Sequence, residues 1–213
     1  MGEAEPCAIL SGGHEATIYG AVLHPRRSQA VTTDAKGHMV VWDLDNGEQV
    51  CTAELGARVN HLAFDPQGVC LYASGSDGVH VWNARTWKRL ANLEGCEEPI
   101  SELAIHPQGT LLAATSASGK VLVWNLDDGK LRYCLKGPAA CSVALHPTRP
   151  LLASGSREGV LTLWSLQDGS VCDVSSAHEG KVFALDFSPM GQLASGGADG
   201  KLCLWRVRSG KGL

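Results

Sequence analysis

The chain has 213 residues, 44% of them hydrophobic, which suffices to bury a sizeable core within one domain and argues against disorder. Its 18 Lys and Arg against 22 Asp and Glu leave a formal net charge of −4, and no basic stripe interleaved with aromatics runs through it, so nucleic acid is not an expected partner. No apolar run approaches the roughly 18 residues a membrane helix needs, and the acidic start Met1-Gly2-Glu3-Ala4-Glu5-Pro6 has neither signal-peptide regions nor the Ser or Thr of a myristoylation site, so no membrane partner is expected.

Taken in chain order, the predicted elements fall into five like units, approximately 11–55, 56–95, 96–137, 138–176 and 177–213. Tryptophan recurs at Trp42, Trp82, Trp124, Trp164 and Trp205, proline at Pro25, Pro66, Pro107, Pro147 and Pro189, and glycine at Gly37, Gly78, Gly119, Gly159 and Gly200. All three series keep a period of 40 to 42 residues, and only Trp87 falls outside the tryptophan series. Each unit begins with an apolar strand a, such as Val182 to Phe187, that stops at the proline, whose fixed φ and missing N–H suit a turn. Strand b follows, as in Leu151 to Ser156, and ends in a glycine-bearing hairpin turn. Strand c carries the tryptophan, and a second turn (Asn46-Gly47, Asp128-Gly129, Asp168-Gly169, Ser209-Gly210) leads to a strand d such as Lys130 to Leu135. Four antiparallel strands cannot bury their apolar faces alone. Neighbouring sheets must therefore stack, and radial stacking leaves only short edges, which predicts an all-β propeller over residues 1–213.

The units resemble WD40 repeats, with Gly13-His14 opening the first and Trp42-Asp43 closing it. The resemblance covers nearly the whole chain and implies a WD40-type β-propeller of five four-stranded repeats. It also implies a buried tetrad that maps most fully onto the last unit, as His178, Ser195, Asp199 and Trp205, where a buried indole N–H and hydroxyl find partners. Repeats two to four lack the loop histidine, so packing is expected to hold them.

The last unit stops where strand d should begin, and the N-terminus carries an orphan apolar segment, so residues 5–10 are expected to supply strand d of the last blade. Seven blades are usual in this family. Two readings stand, a complete five-blade ring or part of a larger propeller, and the reading taken here is the partial or open assembly, which would expose two blade faces.

Eight cysteines include no C-x-x-C pair and sit mostly in apolar stretches, which points to buried thiols in a reducing compartment rather than disulfides or zinc. His24, His106 and His146 each precede a turn proline, where repeats two and five have Asp65 and Ser188, so turn chemistry accounts for them. His38, His61 and His80 lie in strands a and c with no carboxylate at a telling spacing. Ser154 and Ser195 lack a nucleophile elbow, and the glycine-rich pieces are turns rather than phosphate loops. The expected channel lining, Val22, Ala63, Ala104, Ala144 and Ala184, is apolar or small. No catalytic, metal or cofactor site is therefore expected, nor a small-molecule substrate.

The leading expectation is a non-catalytic scaffold for protein–protein interaction, intracellular in the cytoplasm or nucleus, within a multiprotein complex. Charged residues in the d-to-a loops and b-to-c turns are the docking candidates, chiefly Arg58, Glu98, Arg157 and Lys181. As an alternative, Trp82-Asn83-Ala84-Arg85 resembles the box by which some WD40 proteins bind the adaptor of cullin-4 ubiquitin ligases, with Arg85 as its reader. A propeller enzyme is the weakest alternative.

Overall fold

Five antiparallel meanders follow one another along the chain in a computed structural model that describes residues 8–56 and 58–207. Blade 1 holds β1 (Ile18–Leu23), β2 (Gln29–Asp34), β3 (His38–Asp43) and β4 (Gln49–Glu54), and blade 2 holds β5 (His61–Phe64), β6 (Cys70–Gly75), β7 (Gly78–Asn83) and β8 (Arg89–Asn92). Blade 3 comprises β9 (Ile100–Ile105), β10 (Leu111–Ser116), β11 (Val121–Asn125) and β12 (Leu131–Leu135), and blade 4 comprises β13 (Ala140–Leu145), β14 (Leu151–Ser156), β15 (Val160–Ser165) and β16 (Val171–Ser176). Blade 5 has three strands among the described residues, β17 (Val182–Phe187), β18 (Gln192–Gly197) and β19 (Leu202–Arg206). The described residues include no helix.

The period-2 alternation of each strand sends one set of side chains to each blade face, and the repeated register makes those sets stack. On the face toward the next blade lie Met39 and Val41, Val79 and Val81, Val121 and Val123, then Leu161 and Leu163. The facing wall is built from residues such as Leu62, Leu71 and Phe64 in blade 2, Leu103 and Leu112 in blade 3, and Leu185 and Leu193 in blade 5. Four apolar cores result, joining blades 1 and 2, 2 and 3, 3 and 4, and 4 and 5. Four of the repeat tryptophans are buried within this stack, whereas Trp205 is only half-buried.

No fifth core joins blade 5 to blade 1 among the described residues. Leu202 and Leu204 occupy the places of Leu161 and Leu163 but are 72% and 77% exposed. Leu23, which matches Phe64 and Phe187, is likewise exposed at the other end. Among the described residues the blades form an open arc whose two end faces carry the apolar residues of an ordinary blade-to-blade contact. In the segment expected to close blade 5, Ala8, Ile9 and Leu10 are not in a strand, and Leu10 lies beside Gly47 of blade 1. The remainder of that segment, residues 5–7, lies outside the described residues, as does the turn at Ser209-Gly210.

The inner wall differs from its expected lining in two blades. Ala104 and Ala144 line it, but the blade 5 counterpart of Ala144 is Asp186, because register pairs Ala144 with Ala153 and Asp186 with Ala194. Glu102 of β9 also faces this wall. The lining is therefore not wholly small and apolar.

Candidate protein-docking rim

Antiparallel connectivity sends every strand a away from the edge where its d-to-a loop enters, so the b-to-c turns return to that same edge. Loop residues before strand a and turn residues after strand b therefore share one rim, while the c-to-d turns lie on the opposite face.

On the rim, two equivalent positions at the start of strand a carry exposed aromatics, Tyr19 in blade 1 and Phe183 in blade 5. A cation covers each ring: the Arg58 guanidinium sits 4.0 Å from the Tyr19 centroid, and Lys181 Nζ sits 4.7 Å from that of Phe183. Arg58 and Lys181 hold the same place in their repeats, and both contacts are cation–π in geometry. Glu98 accepts a hydrogen bond from Lys120 Nζ at 2.8 Å, and this bond, with further help from Ser118, holds its carboxyl below the ordinary range. Arg157 is exposed at the start of the blade 4 b-to-c turn, where its N–H donates to Ala139 O. Arg85 is exposed on the opposite face, in a c-to-d turn fixed by Asn83 Oδ1, which accepts from the Arg85 and Thr86 N–H groups. Arg58, Glu98, Arg157 and Lys181 thus share the rim, and Arg85 stands apart.

Behind the rim lie the hydrogen-bonded frames that fix its loops. In blade 5, His178 reaches Asp199 Oδ1 with Nδ1 at 2.9 Å and Ser195 Oγ with Nε2 at 2.8 Å, and Trp205 Nε1 donates to the same hydroxyl at 2.9 Å. Blade 1 builds a second such frame on the histidine of Gly13-His14, which the sequence mapped less fully than that of blade 5. His14 lies 3.1 Å from Asp34 and 2.6 Å from Thr32 Oγ1, which also accepts from Trp42 Nε1 at 2.8 Å. The signal was a hydroxyl ten residues before the repeat tryptophan: Thr32, Ser154 and Ser195 stand there, and Tyr72 and Ala114 replace it in blades 2 and 3. In blade 4, without the histidine, Trp164 Nε1 still donates to Ser154 Oγ at 2.8 Å. Trp124 turns instead to Glu94 O, and Trp82 Nε1 is buried without an acceptor among the described residues.

Burial alone would raise the two frame carboxyls. The backbone N–H of His38, the His14 ring and the Lys36 N–H bring Asp34 down to about 2. The Lys201 N–H, the His178 ring and the Glu179 N–H do the same for Asp199, also to about 2. On the inner wall the balance reverses, and burial lifts Glu102 to about 7 against the pull of the Val143 N–H and Lys181.

The proline-preceding histidines cap turns. His24 Nδ1 accepts from the Arg26 and Arg27 N–H groups at 3.1 Å, and His146 Nδ1 accepts from Thr148 and Arg149. Asp65 Oδ1 and Ser188 Oγ instead accept from the far side of the turn, from the Val69 and Cys70 N–H groups and from the Gln192 N–H. With Nδ1 accepting, Nε2 carries the proton, and His24 Nε2 donates to Gly68 O of the next blade at 3.1 Å. His38 and His80 correct the expectation of no carboxylate partner. The tight b-to-c turn folds its aspartate back onto strand c, placing His38 3.2 Å from Asp34 and His80 2.8 Å from Asp77, and Glu54 adds a contact to His38 at 3.0 Å. His61 has no such partner among the described residues, and burial pushes its ring down. No group of three or more His, Cys, Asp or Glu residues among those described is arranged to hold a metal ion, and no helix there is long and apolar enough to cross a membrane.

The model of the WD domain, G-beta repeat, matches residues 48–83, 87–125, 129–165 and 169–206. Each match begins near a strand d and runs through the a, b and c strands of the following blade. The chain is similar to WD repeat-containing protein 55 of Bos taurus, 26% identical over 127 residues, which is 58% of this chain and 33% of that protein. It resembles the Periodic tryptophan protein 2 homolog of Neurospora crassa at 34% over 67 residues, 30% of this chain and 8% of that protein. It also resembles the Target of rapamycin complex subunit wat1 of Schizosaccharomyces pombe at 24% over 126 residues, 54% of this chain and 40% of that protein. The chain spans no more than about two fifths of the length of these relatives.

Proposed function

The chain belongs to the WD40 family, the WD domain with G-beta repeats, and from that premise we propose that it is a non-catalytic scaffold that docks partner proteins on its rim, within an intracellular multiprotein assembly. The observation that carries this reading is the pair of cation-covered aromatics, Tyr19 with Arg58 and Phe183 with Lys181, held exposed at equivalent places on a rigid frame. Exposed aromatic rings and arginines are the side chains enriched where proteins bind proteins, and a rim fixed by buried frames loses little freedom on docking. Arg157 and the Glu98–Lys120 pair extend the same surface with mixed charge that sets orientation. A relative whose name makes it a subunit of the target of rapamycin complex supports the assembly role. Seven free cysteines among the described residues fit a reducing cytoplasm or nucleus.

The test is co-purification from the source cell with wild type and with Arg58→Glu, Arg157→Glu and Lys181→Glu combined. Partners recovered by wild type and lost from the folded variant are expected. Equal recovery by both would remove the rim from the reading.

A second reading rests on Arg85, exposed in a turn that Asn83 caps. It makes the chain a substrate receptor of a cullin-4 type ligase. Arg85→Ala should then abolish capture of the ligase adaptor, and equal capture by both proteins would sink it.

A further inference from the structure

We propose that the face opposite the rim carries a second docking surface, a basic patch at the boundary of blades 1 and 2 that takes an acidic segment of a partner protein. Arg26 and Arg27 follow Pro25 in the β1–β2 turn, and Arg85 and Lys88 stand in the β7–β8 turn, all four exposed. Packing beneath them draws the two turns together. The His24 ring lies 4.9 Å from that of Phe64, which in turn lies 6.4 Å from that of Trp87, the residue before Lys88.

Two contacts across the blade boundary fix the arginines. Arg27 Nη1 donates to Ala84 O at 3.0 Å, and Arg26 Nε donates to Pro66 O at 3.4 Å. Each guanidinium is thereby held in place and keeps its other N–H groups for an anion, in a planar fork that matches a carboxylate. Ion pairs among the described residues engage Lys36, Lys120 and Lys201, all in rim turns, and none of the four cations of this patch. Carboxylates of the neighbouring turns serve other donors: Asp45 accepts from Ser28 Oγ at 2.6 Å, and Asp65 accepts from the Val69 and Cys70 N–H groups. In a chain of net charge −4 the patch is a local reversal of sign.

Two exposed aliphatic residues flank the arginines and decide the kind of occupant. Leu44, 41% exposed, donates its N–H to Ser28 O beside Arg27, and Val69, 57% exposed, accepts from the Ala84 N–H beside Arg85. Carboxylates therefore answer the guanidinium forks, and apolar residues between them cover Leu44 and Val69. Single-stranded nucleic acid calls for exposed aromatic rings on which bases stack, and Trp87, the aromatic residue of these turns, is buried. An anionic membrane spreads its charge over a wide plane, which the net charge of the chain opposes, whereas a short segment meets the patch alone. The patch is separate from the rim, and it shares Arg85 with the ligase reading.

The probe is a short peptide in which Asp and Glu alternate with Leu, carrying an uncharged fluorophore and titrated into the full chain at low salt. Saturable binding is expected, weakened at least tenfold when Asn and Gln replace the acidic residues, a change that leaves the protein untouched. Arg26→Glu combined with Lys88→Glu should also weaken it at least tenfold, with a thermal melt that matches wild type. No binding, equal binding of the amide peptide, or binding unchanged by the two reversals would each overturn the proposal. Displacement of the peptide by an equal charge of oligothymidylate or of phosphatidylserine vesicles would overturn it too, and would make the patch a nucleic-acid or membrane surface. Reversing Arg58, Arg157 and Lys181 should leave peptide binding intact, and Arg85 stays in place throughout, so failure here leaves the scaffold and ligase readings standing.

Discussion

At the level of single residues, the repeat tryptophans divide by what lies ten positions upstream. Trp164 satisfies its N–H on Ser154, whereas the Trp82 N–H is buried without an acceptor. A Trp164→Phe change breaks a buried hydrogen bond and strands the Ser154 hydroxyl, and Trp82→Phe removes a donor that had no partner. Urea unfolding should therefore show Trp164→Phe to be the costlier change, by about 1 kcal/mol. Carboxyl groups divide in the same way, by their hydrogen bonds. Glu102 ordinarily titrates at 4.5 and is lifted to about 7 by burial, so between these values the native chain holds a proton that the unfolded chain has lost. Its contribution to stability thus falls as pH rises from about 4.5 to about 7, and Glu102→Gln should flatten that part of the profile. Asp34 and Asp199 act with the opposite sign: their contribution is complete above 3.8 and is lost as pH falls toward about 2. Thermal melts across pH 2 to 8 separate the two effects.

Among the elements, turns add contacts between blades to those of the apolar cores. Gly191 and Gly129 both lie in the left-handed region, with φ of +78° and +69°. A Cβ on Gly191 would sit 2.5 Å from His146 Nε2, while one on Gly129 would meet open space. Gly129→Ala should cost about 1 kcal/mol for the backbone alone. Gly191→Ala should cost roughly 1 to 3 kcal/mol more, because it also displaces a packed histidine, and chemical denaturation of both variants checks the difference. This level of the fold was the most legible in the sequence, since strand, turn and tryptophan keep one period and each has a local cause. What stayed hidden depends on contacts between units. Trp87 is the clearest case: it takes the place of Gly47, Gly129 and Gly169 with a φ of 54°, an unfavourable backbone held by burial against Phe64. The blade 1 frame was obscured because Thr32 stands for serine, and Glu102 and Asp186 because a one-strand alternation does not say which face meets the inner wall. The rim charges were legible as loop charges, but the Arg58 contact with Tyr19 arises only when two repeats are brought together, and the Lys181 contact with Phe183 only when strand a of blade 5 exposes its ring.

For the whole molecule, the open arc sets the behaviour in solution. Leu202 and Leu204 at one end and Leu23 at the other are apolar surface of the kind that neighbouring blades normally cover. Sedimentation velocity should show association that grows with protein concentration, and Leu202→Lys with Leu204→Lys should weaken it by charging an exposed edge face. A wild-type chain that sediments as one monomer at all concentrations would count against open end faces.

Four cores in a row, with none joining the ends among the described residues, also set an expected order in which the molecule comes apart. Blades 2, 3 and 4 are clamped from both sides, so releasing any of them breaks two cores, while releasing blade 1 or blade 5 breaks one. A closed ring has no such weak point, since every blade in it has two neighbours. The described blades instead make a short linear array, and blade 5, with three described strands and a single described neighbour, should be the first to exchange its amide hydrogens, which exchange read by mass spectrometry checks.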